Sequence, residues 1–128
     1  MANPNIVNVT SILGGNAGWN LSATTTDTLM TVGSGVIVKL NAITVANVDG
    51  TNAADVSVFI DGLGTGATGV TTTDADATVY IAKTISVPAD ATLVLLDTPI
   101  YMMEGDILKG GASAASDLDL LVSYEVIS

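Results

Sequence analysis

Three clusters in this 128-residue chain have residue types and spacings that chemistry can use. The first is glycine: Gly64, Gly66 and Gly69 spell a literal G-x-G-x-x-G. Such a loop holds a pyrophosphate when it comes after a strand and opens a helix, because the helix N-terminus then presents free amides to the phosphates. A β-prone segment does precede it. The next residues, Val70-Thr71-Thr72-Thr73-Asp74-Ala75-Asp76, are β-branched and turn-forming, so no βαβ unit can be drawn and the glycines read as a surface loop between strands. The second cluster is acidic: Asp74 and Asp76, with Asp61 and Asp90 as candidate neighbours in the fold. Calcium asks for six or more hard oxygens, and the spacing of an EF-hand loop with its closing Glu is absent, so solvated acids are the simpler account. The third is Asp117 and Asp119, two carboxylates on one strand face. Paired carboxylates can hydrolyse glycosides, but no Asp or Glu pair here stands out from a solvated background.

Much chemistry is excluded by composition. The chain has no His and no Cys, which removes imidazole acid–base catalysis, thiol nucleophiles, thiolate metal sites and disulfides together. No enzyme activity and no cofactor is expected. Thirteen acidic residues face only Lys39, Lys83 and Lys109, for a net charge of −10. A nucleic-acid partner needs a basic footprint to displace counterions from phosphates, and an anionic membrane surface needs the same, so neither is expected. The start, Met1-Ala2-Asn3-Pro4-Asn5, lacks a cationic stretch, and no apolar run approaches the ~18 residues of a membrane span. A soluble, unprocessed chain assembled in a reducing cytoplasm fits these features.

The elements available to position side chains are strands. Val, Thr and Gly are abundant, and only one Phe, one Trp and three Tyr are present, so the core must be largely aliphatic. In the closing segment Leu118, Leu120, Val122, Tyr124 and Val126 share one face, with Leu121 and Ile127 as apolar exceptions on the other. Along residues 36–48, Val36, Val38 and Leu40 alternate before the apolar set changes parity to Ile43 and Val45, which places a β-bulge near Asn41-Ala42. Residues 49–52 read as a turn and Ala54–Asp61 as the returning strand of a β-hairpin. Val79, Ile81, Ile85 and Val87 mark another strand, interrupted by Lys83. Residues 92–97 form a continuous apolar run of the kind found in a strand covered on both sides. Pro88-Ala89-Asp90, Asp97-Thr98-Pro99 and Glu104-Gly105-Asp106 punctuate the run as turns, Ile107–Lys109 is a short strand and residues 110–116 a small-residue loop.

Eight to ten one-sided strands with no helix predict an all-β fold: an antiparallel two-sheet β-sandwich of jelly-roll or Greek-key type. Residues 1–18 are expected to form an N-terminal arm and a glycine-rich hinge, and residues 19–128 a single sandwich domain.

Residues Ile85-Ser-Val-Pro-Ala-Asp-Ala-Thr-Leu-Val94, Thr98-Pro-Ile-Tyr-Met-Met-Glu-Gly-Asp106 and Ala112–Ile127, with Val45–Val56 and Asn5–Ile12, resemble small β-sandwich virion proteins of tailed bacteriophages, cyanophages among them. These are signatures of strands and turns, and they span nearly the whole chain. The resemblance implies a non-enzymatic capsid decoration or cement protein on the virion surface. It would bind the major capsid protein or other virion proteins, often as a homotrimer. A tail- or fibre-associated module binding carbohydrate or a receptor is the alternative, and it would need exposed aromatic platforms. Candidate interface residues are Ile6, Val7 and Val9 in the arm, Trp19, Tyr101, and the pair Met102 and Met103. Trp19 would anchor either core or interface, and the methionines would either face a neighbouring subunit or fill gaps in the core.

Overall fold

The structure is a computed structural model, and it describes residues 8–22, 27–63, 70–72 and 77–128. Nine strands succeed one another: β1 (Ile12–Asn20), β2 (Asp27–Thr31), β3 (Ile37–Asn47), β4 (Ala54–Asp61), β5 (Val79–Val87), β6 (Thr92–Leu96), β7 (Ile100–Met102), β8 (Ile107–Ala112) and β9 (Leu118–Ile127). Among the described residues there is no helix. The first sheet runs β1-β9-β3-β6, with β7 also paired to β3; the second runs β2-β8-β4-β5. All pairings are antiparallel.

The chain is an antiparallel β-sandwich, and its strand order is that of a jelly roll. Strands β6 and β7 pair with successive parts of β3 in the same direction, Ile43 to Leu96 and then Leu40 to Ile100, so they are one strand with a break. Residues 97–99 therefore bend the strand without reversing it, since Pro99 has no N–H for a ladder. Counting β6 and β7 together gives two four-stranded sheets, and β4 and β5 are the only consecutive strands of one sheet that pair with each other.

The bulge falls where the parity change places it. Leu40 pairs with Tyr124 and Ala42 with Ser123, leaving Asn41 extra. Without it, Ile43 and Val45 would face outward; with it, Val38, Leu40, Ile43 and Val45 all enter the core with Leu118, Leu120 and Val122 of β9. The second sheet contributes Val56, Val58 and Ile60 from β4 and Leu108 from β8. The core is aliphatic, and no aromatic ring is fully buried within it.

Four expectations need correction. The β3–β4 hairpin does not exist, although β4 has the bounds expected of it. Both sides of β3 are occupied, by β9 and by β6 with β7, so the chain must cross to the other sheet after Asn47. The crossing is held by the buried Asn47 side chain, which donates to the carbonyls of Asn52 (3.0 Å) and Val87 (2.9 Å) and accepts from the Asp49 N–H (2.8 Å). Secondly, Gly14–Gly18 is no hinge. These residues lie inside β1, in unbroken register with β9 from Ile12 opposite Ile127 to Asn20 opposite Asp119. Glycine is a poor strand former locally, but pairing with a long partner strand overrides propensity. Residues 12–18 thus belong to the sandwich, Thr10 and Ser11 are hydrogen-bonded to Ser128, and residues 1–7 lie outside the described ones. Thirdly, the run at 92–97 is covered on one side only, since Thr92 and Val94 are exposed. Fourthly, β8 continues through Gly110 and Gly111 to Ala112. A Cβ at Gly110 would lie 2.8 Å from the Ser57 carbonyl oxygen, so β4 and β8 approach closely there because that residue has no side chain.

Candidate interaction surface

The outer face of the first sheet is built by β3 and β9 at its centre and β1, β6 and β7 at its sides. Cross-strand register sets four residues of four strands in one row: Gly18 opposite Leu121, Leu121 opposite Thr44, Thr44 opposite Val94. A second row runs Gly14, Glu125, Lys39, Tyr101. Three of these side chains are apolar and open to solvent: Leu121 is 50% exposed, Val94 61% and Tyr101 52%. Between them the face is low. Gly18, Thr44, Ala46 and Asp119 frame a shallow depression of about 310 Å³ beside Leu121. The charged groups named on this face are few: Lys39 lies 4.0 Å from Glu125, and Asp119, which accepts a hydrogen bond from the Asn20 amide at 2.7 Å, leaves one negative charge unbalanced.

The outer face of the second sheet is different in kind. Phe59 stacks on Tyr80 with ring centroids 4.9 Å apart, and Lys83 lies over the Tyr80 ring at 5.1 Å. Beside them Lys109 donates to Asp61 at 2.9 Å, and Thr78 and the Gly62 N–H donate to the same carboxylate. The Lys109 hydrogen bond first, then those from Thr78 and Gly62, hold Asp61 down at a pKa of about 2. Every strong polar group named here is engaged by a neighbour in the chain, so this face is internally satisfied.

One carboxylate is buried. Asp106 accepts the Met103 N–H through Oδ2 at 2.8 Å, while its Oδ1 has no partner among the described residues. Burial raises its pKa, opposed only in part by the Met103 bond. Asp49, in the crossing loop, is shifted the other way, lowered by the Thr51 N–H and then by the Asn52 side chain.

Among the described residues no three His, Cys, Asp or Glu side chains are grouped to hold a metal ion. Asp74, Asp76 and the glycines at 64, 66 and 69 lie outside the described residues, so the calcium and phosphate-loop readings have no geometry to consider. Of the interface candidates, Ile6 and Val7 lie outside as well. Val9 is half-buried. Trp19 pairs with buried Leu120 and packs against the core, whereas Tyr101 pairs with Lys39 on the opposite face of the sheet, so the two rings form no common platform. Met103 is half-buried. Met102 must be withdrawn as an interface residue: it has no accessible surface, because its pairing with Val38 turns it into the core. Leu121 and Val94, which replace it, left a trace in the sequence. Leu121 is an apolar exception on the polar side of β9, and Val94 sits in an unbroken apolar run where alternate residues must face outward.

No helix of the described residues is long and apolar enough to cross a membrane. Compared with protein-family models, curated proteins and solved structures, the chain matches none.

Proposed function

We propose that this chain is a non-enzymatic structural protein of a bacteriophage virion, a capsid decoration or cement protein that stabilises the head through contacts with the major capsid protein. The observation that carries the reading is the outer face of the first sheet. In a chain of net charge −10, it offers a sparsely charged surface set with Leu121, Val94 and Tyr101. Exposed apolar side chains set on a face with few charges suit an interface, and here binding would come from shape and apolar burial. Jelly rolls serve viral capsids among other roles, which makes the fold compatible with the proposal without assigning it. The acidic remainder of the surface would keep decorated particles dispersed by like-charge repulsion.

The exposed Tyr101 favours a second reading, a tail- or fibre-associated carbohydrate-binding module, because sugars stack on exposed rings. Trp19 packs against the core, which leaves that platform with a single aromatic.

Mass spectrometry of purified virions tests the proposal. A decoration protein is present in many copies per head and comes off with the heads intact. Absence from the particles, or presence only in tails at a few copies, would rule it out.

A further inference from the structure

Among the described residues the sandwich has four open sheet edges, and three carry features that block pairing with another strand. Strand β2 is five residues long, begins with Asp27 and has a register shift between Thr28 and Met30. Strand β5 carries Lys83, two register shifts against β4, and Thr84 at φ 49°. Strands β6 and β7 are broken at 97–99 by Asp97 and Pro99. Charged residues, bulges, proline and shortness are the devices by which natural sheets protect their edges.

Strand β1 carries none of them. Its nine residues, Ile12–Asn20, contain no charged side chain, no proline and no break in register against β9. At about 3.3 Å per residue that is about 30 Å of uninterrupted edge. Alternate residues direct N–H and C=O groups away from β9, and among the described residues no strand takes them. Two of the most exposed apolar side chains, Ile12 at 58% and Leu13 at 64%, lie on this strand and point to opposite faces of the sheet.

The sequence of β1 also decides what fits. Read outward from Asn16, it is small on both sides (Gly15 and Ala17, then Gly14 and Gly18) and then large and apolar on both sides (Leu13 and Trp19). A strand with that symmetry of size is complementary to itself when laid antiparallel. We propose that β1 is a self-association edge, at which two copies of this chain pair β1 with β1 antiparallel about a twofold axis through Asn16, joining their first sheets into one. In that register Leu13 lies against the partner's Trp19, Gly14 against the partner's Gly18, and Asn16 against the partner's Asn16. Leu13 and Trp19 share a face, because their β9 partners Val126 and Leu120 both belong to the inward set. The exposed Leu13 of each copy is thereby covered. A net charge of −10 makes two copies repel over most of their surfaces, and β1 is a stretch with no ionisable side chain to add to that repulsion. A twofold dimer of this kind stands independently of any capsid.

Cross-linking tests it in a chain that has no native cysteine. Directly opposed residues of antiparallel strands have Cα atoms about 4.5–5.5 Å apart, within the span of about 4.4–6.8 Å that a disulfide bridges. Asn16 is exposed and Thr92, on the opposite edge of the same sheet, is exposed too. Mild oxidation of Asn16→Cys should give a covalent dimer of twice 12.8 kDa, while Thr92→Cys remains at 12.8 kDa. In light scattering the unmodified chain should be a dimer, Asn16→Glu a monomer and Thr92→Glu, of the same net charge, still a dimer, with circular dichroism showing all three folded. A monomeric or trimeric unmodified chain, a dimer that persists in Asn16→Glu, or cross-linking at 16 no faster than at 92 would each overturn the proposal.

Discussion

Asp106 receives the backbone N–H of Met103 at 2.8 Å on one carboxylate oxygen and keeps the other, equally buried, without a partner among the described residues. The bond closes the turn at 103–106, where the Asp106 N–H also reaches the Met103 carbonyl at 2.9 Å and Gly105 adopts φ 90°. Burial favours the neutral acid, so the folded-state pKa lies above the unfolded one. The stability this group contributes is therefore complete below the unfolded pKa and is lost as pH rises through the raised folded value.

Asp106→Asn keeps an acceptor for Met103 and removes the ionisation. The melting temperature of the variant minus that of the parent should increase as pH is raised from the ordinary aspartate value upward through the raised folded one, where the carboxylate is forced to charge. Thermal unfolding across that range checks it; a difference that is flat or falls with pH would contradict the burial argument.

Asp61 titrates with the opposite sign. Its pKa of about 2 means that the contribution of its hydrogen bonds is present above the ordinary aspartate value and is lost as pH falls toward 2. Lys109→Met should move the Asp61 carboxyl titration, followed by NMR, back up toward the ordinary range, and Thr78→Val should move it less. Equal shifts from the two variants would mean that the Lys109 contact is not the leading one.

Asn47→Ala removes three hydrogen bonds at the sheet-to-sheet crossing and leaves the buried Val87 carbonyl without its side-chain donor. The expected loss is about 1–3 kcal/mol in urea unfolding. A loss no greater than that of an exposed substitution would show that the crossing holds without it.

Gly110→Ala places a methyl group 2.8 Å from the Ser57 carbonyl oxygen, a backbone atom within the β4–β8 ladder. The expected destabilisation is about 1–3 kcal/mol. Gly14→Ala is the control, because a Cβ there meets nothing within 4 Å. Equal effects on stability would contradict the close approach.

Local features of this fold were legible in the sequence, and its long-range choices were not. The parity change after Leu40 gives the bulge at Asn41, because one extra residue is the simple way for both halves of a strand to face one core. Alternation in β3 and β4 reveals the strands but not their sheets: in a sandwich both inner faces are apolar, so a strand that stays and a strand that crosses look alike. The choice was made by β9, which begins only at Leu118 and occupies the place beside β3. Likewise Gly14, Gly15 and Gly18 signal a loop by propensity and become strand through distant partners, Glu125, Tyr124 and Leu121. Asp97-Thr98-Pro99 has the composition of a turn, yet β3 continues past it and holds both halves in line. At the candidate surface, Leu121 announced itself as an exception to the pattern of β9, while Met102 was misplaced because a methionine pair carries no facing signal until its strand has a register.

The most direct test of the central claim is co-sedimentation with empty heads assembled from the major capsid protein of the same genome. The account predicts saturable binding at a fixed number of copies per head, abolished by Leu121→Glu at the centre of the outer face and unaffected by Ser86→Glu on the far sheet. A chain that stays in the supernatant at saturating concentration, or binding that survives Leu121→Glu, would contradict it.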